Sequence, residues 1–179
     1  MGKHLSNFGF RLMSLGFKLR DFFRPRENIL KEVGIKAGFQ VLDYGCGPGA
    51  YVTAVAELVG KTGKIYALDA HPLGVKMVQS IALREHLVNV ETILSDCKTG
   101  LPDNSLDVVL LYDTLHDLGD PNCVLEELYR VLKPNGVLSV SDHHLKEAEI
   151  VSKVTNQGLF KLSRKGRKTV KSPFSCKIS

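Results

Sequence analysis

Apolar residues along this chain fall into two alternating spacings. Short, nearly continuous runs occupy Gln40–Tyr44, 64–68, Val90–Leu94, Leu106–Tyr112 and 137–141. Such runs predict strands covered on both faces, as in a parallel sheet. Between them the apolar positions step by three and four. Ile29, Leu30 and Val33 mark a short helix over 26–33, and Val52, Val55, Ala56 and Val59 one over 50–59. Val75, Val78, Ile81 and Ala82 mark a third over 72–86, and a fourth covers 121–132. Pro72 and Pro121 suit first helical turns, and Gly60 and Gly63 end the second helix. The alternation of strand and helix predicts an α/β fold with a mainly parallel sheet. After the turn 133–136 and the fifth strand, the pattern predicts a helix over Glu147–Thr155 and two strands, 158–162 and 169–178. A basic turn, 163–168, would join them as an antiparallel hairpin. Pro173 marks the last strand as an edge or bulged strand.

The glycine-rich segment Asp43-Tyr44-Gly45-Cys46-Gly47-Pro48-Gly49 sits where the first strand meets a helix. Gly45 and Gly47 allow positive φ and a close backbone approach to a ligand. The N–H groups that open the helix favour an anionic group. The third glycine comes one residue earlier than in the dinucleotide fingerprint, and an acid precedes the first. That acid would repel a pyrophosphate, which disfavours NAD, and suits a ligand carrying an ammonium group. Asp69, twenty residues after Gly49, ends the second strand, where a carboxylate can take the hydroxyls of an adenosine ribose.

Charge adds a second layer. Residues 1–36 carry net +5, residues 37–145 net −7 and residues 146–179 net +7. An acidic middle between basic ends suits a cationic cofactor with basic flanks. Leu5, Phe8, Leu12, Leu15, Leu19 and Phe22 form an amphipathic stripe, which predicts a helix docked on the core as a cover over the pocket, with a membrane-surface helix or a plain packing helix as the alternatives. Arg11, Lys18 and Arg20 break the apolar run that a secretory signal requires. The cysteines Cys46, Cys97, Cys123 and Cys176 show no paired spacing, which argues against a zinc site or a disulfide scaffold and points to a reducing cytoplasm. His143 and His144 are adjacent, so on a strand they would face opposite sides, and no metal site is expected.

The glycine segment resembles motif I of the class I S-adenosylmethionine-dependent methyltransferases. The run Glu127-Leu128-Tyr129-Arg130-Val131-Leu132-Lys133-Pro134-Asn135-Gly136 is similar to that family's signature before the fifth strand, most of all in the small-molecule enzymes of ubiquinone and menaquinone biosynthesis. The resemblance covers about residues 39–145. It implies a Rossmann-like, mainly parallel seven-stranded sheet with helices on both faces and a C-terminal antiparallel hairpin. It also implies one domain over 1–179, with a helical cover at 1–36, a cofactor-binding core at 37–145 and a helix and hairpin at 146–179. The implied cofactor is S-adenosyl-L-methionine, held by Asp43, Gly45, Cys46, Gly47, Gly49, Asp69, Ala70, Asp96, Cys97 and Tyr112. Asp96 would meet the adenine amino group, and Cys97 would pack on the ring as a neutral thiol.

The implied reaction is in-line methyl transfer to a small-molecule acceptor. A general base is needed only where the acceptor loses a proton, and His116, His143 and Tyr112 are the candidates. Methyl transfer to RNA or protein is the alternative. Tyr112-Asp113-Thr114-Leu115 stands where enzymes acting on nucleic-acid amino groups carry Asn-Pro-Pro-Tyr or Asp-Pro-Pro-Tyr, which disfavours a nucleic-acid acceptor. A non-catalytic module that only binds the cofactor is the third reading, and the acids at 43, 69 and 96 argue against it. The chain has no long insertion there to close the acceptor pocket, so the pocket would be open or completed by a second subunit, as in a homodimer.

Overall fold

The computed structural model describes residues 27–165 and 174–178. The amphipathic stripe from Leu5 to Phe22 lies outside them, and with it the cover and membrane readings.

Strands β1 (Gln40–Tyr44), β2 (Lys64–Asp69), β3 (Val90–Leu94), β4 (Leu106–Tyr112), β5 (Leu132–Ser141), β6 (Phe160–Lys165) and β7 (Phe174–Ile178) form one seven-stranded sheet in the order β3-β2-β1-β4-β5-β7-β6. Strands β1 to β5 run parallel, and β7 pairs antiparallel with both β5 and β6. The chain builds outward from β1 through β2 to β3, then returns to place β4 on the other side of β1. That reversal opens a crevice at the carboxyl ends of β1 and β4, where open α/β sheets take their ligands.

Alternation along the strands divides the core into two layers. Val41, Ile65, Ala67, Val108, Leu110 and Tyr112 pack with α1 (Glu27–Val33) and α2 (Val52–Val59). Leu42, Leu68, Val109 and Leu111 pack on the opposite face with α4 (Pro121–Val131) and α5 (Glu147–Thr155). Both faces are therefore covered, which is why the strands read as continuous apolar runs. Helix α3 (Pro72–Arg84) lies against β2 and β3. The helix starts follow local chemistry. The His71 ring accepts from Leu73 N at 3.1 Å, and the Asp120 carboxylate accepts from Asn122 N and Cys123 N, both at 3.1 Å.

Two expectations change. Strand β5 begins at Leu132, five residues earlier than its apolar run, because Leu132 pairs with Leu106 before the register jumps to Val108 with Val137. The segment 133–136 is thus an irregular insertion within the strand. At Gly136 an added Cβ would lie 2.7 Å from Leu132 Cδ2, so the kink closes tightly. The last strand is not an edge: β7 lies between β5 and β6. Pro173 lies outside the described residues. The irregular register falls instead in β6, between Leu162 and Arg164.

Candidate active site

The glycine turn is held from below by the strand next door. Gly45 N and Cys46 N donate to Leu68 O at 2.8 and 2.9 Å, and Gly49 N closes onto Cys46 O at 3.0 Å. All three glycines have positive φ, but they serve different ends. At Gly45 a Cβ would sit 2.6 Å from Thr114 Cγ2, so this glycine admits the chain leaving β4. At Gly49 a Cβ would meet Ile81 Cδ1 at 2.9 Å, so it admits α3. At Gly47 a Cβ would meet nothing within 4 Å among the described residues, so there the middle of the turn faces open space.

Asp69 braces that turn. Its Oδ2 accepts from Gly47 N at 2.7 Å and its Oδ1 from His71 N at 2.7 Å. Burial pushes this carboxyl above its usual value, and the two backbone donors oppose the rise. Gly74 makes room for it, since a Cβ there would come within 3.0 Å of the Asp69 carboxyl carbon. The ribose role expected for Asp69 thus shares the carboxylate with a structural one. Asp43 is buried at the end of β1, close enough to Cys46 to raise its thiol further, after burial itself. Ala70 is exposed just past β2.

Asp96 has an exposed side chain, and its carbonyl accepts from the Tyr44 hydroxyl at 2.9 Å, which ties the loop after β3 to the end of β1. Cys97 is not a free thiol. It is bonded to Cys123 in the first turn of α4, 26 residues away. The expectation of unpaired cysteines fails because the fold brings two distant segments together, with Cα atoms 6.4 Å apart, a proximity the spacing could not reveal. The pairing also withdraws cysteine usage as a pointer to a reducing compartment.

Tyr112 does not present its hydroxyl to the crevice. The ring is 5% exposed and edge-on to Tyr51, and the hydroxyl shares a hydrogen bond of 2.7 Å with buried Ser139. Burial raises its pKa far above the ordinary value, so it is no general base.

The histidine candidates converge at the ends of β4 and β5. Asp142 Oδ2 accepts from His116 N at 3.0 Å and pairs with His116 Nδ1 at 2.8 Å, while Oδ1 accepts from His144 N at 2.9 Å. Asp113 Oδ1 accepts from His143 N at 3.1 Å and is paired with His143 Nδ1. The His144 ring lies 4.2 Å from that of His116 and 4.4 Å from that of His143. The expectation that His143 and His144 face opposite ways is corrected: β5 ends at Ser141, so strand alternation no longer applies to them. Among the described residues no group of three metal-ligating side chains could hold an ion. Thr114 and Asp142 are site residues that the residue types alone did not mark. Their signal was position, immediately beyond two neighbouring parallel strands.

Beneath the site, buried Glu127 of α4 takes Thr99 N at 2.8 Å, Thr99 Oγ1 at 2.7 Å and Arg130 Nη2 at 2.7 Å. Burial opposes its ionisation most strongly, but the donors from Arg130 and Thr99 prevail and hold its pKa at about 2. This network anchors the loop that carries Asp96 and explains why the stretch preceding the fifth strand is charged.

A methyltransferase domain model matches residues 35–171. The demethylmenaquinone methyltransferase of Geobacillus sp. (strain WCH70) is 31% identical over 125 residues, 69% of this chain and 53% of that protein. The ubiquinone/menaquinone biosynthesis C-methyltransferase of Marinomonas sp. (strain MWYL1) is 28% identical over 139 residues, 76% of this chain and 55% of that protein. The chain therefore spans about half the length of the curated relatives it matches. A solved S-adenosylmethionine-dependent methyltransferase from Aquifex aeolicus superposes with a TM-score of 0.79 at 28% identity, over 90% of this chain and 97% of that one. With the glycine turn, the braced acid at the end of β2 and the β1–β4 crevice all in place, the chain belongs to the methyltransferase domain family.

Proposed function

We propose that this chain is an S-adenosylmethionine-dependent methyltransferase acting on a small-molecule acceptor of the quinol type, as the names of its relatives suggest. The observation that carries the reading is the cradle at Gly47, where an added Cβ would meet no atom of the described residues within 4 Å, beside the buried carboxylate of Asp69. The residues fit the cofactor. The N–H groups of the turn suit its carboxylate, buried Asp43 its ammonium end, Asp69 its ribose, and exposed Asp96 its adenine amino group. Cys97, in its disulfide, offers a polarizable wall beside Asp96. When bound, the cofactor supplies a methyl group already activated by a sulfonium. The protein has to align the acceptor and exclude water. Thr114 fixes the loop after β4 against the turn, so acceptor-facing residues on that loop hold a set distance from the cradle.

The occupant sets the experiment. Calorimetry on the full chain should show S-adenosylmethionine and S-adenosylhomocysteine binding and NAD binding far more weakly. Gly47→Ala adds a methyl group that meets no atom of the described residues within 4 Å. It should therefore unfold only about 1–2 kcal/mol more easily, from left-handed strain, yet lose at least about tenfold in cofactor affinity. Asp69→Ala should weaken binding by about 1.5–3 kcal/mol. Binding of NAD in place of both sulfur compounds would refute the proposal.

A further inference from the structure

The three histidines beyond β4 and β5 have an order that the fold alone does not require. The Asp142 side chain is fully buried, while that of His116 remains 29% exposed. A carboxylate accepts only, so Nδ1 of His116 must carry the proton, and the lone pair of the neutral ring lies on Nε2. Among the described residues Nε2 has no hydrogen-bond partner. The same carboxylate grips the His116 backbone N–H, so ring and main chain are fixed by one group. His116 stands two residues after Thr114, whose side chain abuts Gly45, so the ring belongs to the loop that borders the cradle. Asp113, which pairs with His143, has a φ of 53°, a strained value for a non-glycine residue and typical of functional sites. The rings of His116, His144 and His143 follow one another at 4.2 and 4.4 Å, tilted by 40° and 35°, and together form an aromatic wall.

Resting on the methyltransferase reading and its quinol-type acceptor, we infer that His116, oriented by Asp142, is the base that deprotonates the acceptor hydroxyl. A sulfonium methyl needs no base when its acceptor carries no proton to lose, so a solvent-accessible His116 held by buried Asp142, with Nε2 unpartnered among the described residues, matches a protonated nucleophile. The hydroxyl proton passes to Nε2, and Asp142 stabilises the imidazolium. The electron pair left on oxygen, or delivered by it to the adjacent ring carbon, forms the bond to the methyl carbon. The carbon–sulfur bond breaks with its pair on sulfur, leaving a neutral thioether. Where carbon is attacked the ring re-enolises, its C–H proton returning to oxygen, so either route releases one proton. The imidazole wall lies against the aromatic ring. Asp142 is a positioning residue, since it reaches the acceptor only through His116.

The test uses the full chain, anaerobic 1,4-naphthohydroquinone as acceptor, mass spectrometry of the product and calorimetry with S-adenosylhomocysteine. Wild type should methylate the hydroquinone. His116→Ala should lose about 10²- to 10⁴-fold in kcat, with S-adenosylhomocysteine affinity unchanged, and added imidazole should restore at least about tenfold of the lost rate. Should the alanine variant not fold, His116→Gln replaces it with the same expectation for kcat. Asp142→Asn should lower kcat, and the double variant should be no slower than His116→Ala, because Asp142 acts through the ring. Wild-type rates in a folded His116 variant, no rescue by imidazole, or additive losses in the double variant would overturn the assignment. Cofactor binding without turnover of the hydroquinone would overturn the acceptor class. A chain that bound neither sulfur compound would fail at the methyltransferase reading itself.

Discussion

Replacing Gly45 by alanine should destabilise the protein in a way that Thr114→Ala partly repairs. Gly45 has a φ of 76°, in the left-handed region where an alanine is strained by about 1–2 kcal/mol. Its new Cβ would also lie 2.6 Å from Thr114 Cγ2 and 3.0 Å from Thr114 Cβ. Neither partner can swing away easily, since Thr114 Oγ1 donates to Tyr112 O at 3.0 Å. Overpacking of this kind costs about 1–3 kcal/mol, so Gly45→Ala should lose about 2–5 kcal/mol in all. Thr114→Ala removes the closest contacts but keeps the φ strain and the 3.0 Å approach of Cβ. The double variant should therefore be more stable than the sum of the single losses by about 1–3 kcal/mol. Urea unfolding of the four proteins without ligand measures this cycle. Strictly additive losses would mean that Thr114 does not limit the turn, and that the loop after β4 is not registered by Gly45.

Two further predictions concern the support beneath the site. Glu127 has a folded pKa near 2, depressed from 4.5, so its contribution is complete above about pH 4.5 and disappears as pH falls through 2. Glu127→Gln should lower stability by about 3 kcal/mol at pH 7, with the gap to wild type narrowing toward pH 2; equal urea midpoints at pH 7 would refute the network. The Cys97–Cys123 bond closes a loop of 26 residues, which the chain-entropy relation equates to about 3.5 kcal/mol. Cys123→Ser and reduced wild type should melt alike and below the oxidised protein, whereas a wild type indifferent to reductant would mean that the bond does not form.

Much of this molecule was legible in order along the chain. The runs at Gln40–Tyr44, Val90–Leu94 and Leu106–Tyr112 became strands with those bounds, as Glu147–Thr155 became a helix. Periodicity works there because burial on a fixed pair of faces leaves a repeating mark on the residues. The Asp43–Gly49 turn was readable for a similar reason, since glycine takes its positive φ values without strain. What each glycine admits was not readable. Thr114, Ile81 and open space are separated from the turn by tens of residues or by nothing at all, and sheet order alone decides which one faces it.

The side-chain pairs across the sheet were decided in the same way. His116 and Asp142 lie 26 residues apart and meet because β4 and β5 are neighbours whose parallel register aligns Tyr112 with Ser141. Tyr112 stood in sequence beside those residues and was an equal candidate, yet strand alternation turns it into the opposite layer, onto Ser139. Cys97 and Cys123 met through the packing of one loop on one helix end. The chain by itself determined which segments form strands and helices and where a ligand-binding turn must lie, because those properties are local. Which side chains share a site followed only from tertiary structure, because the order and register of parallel strands depend on burial summed over the whole sheet.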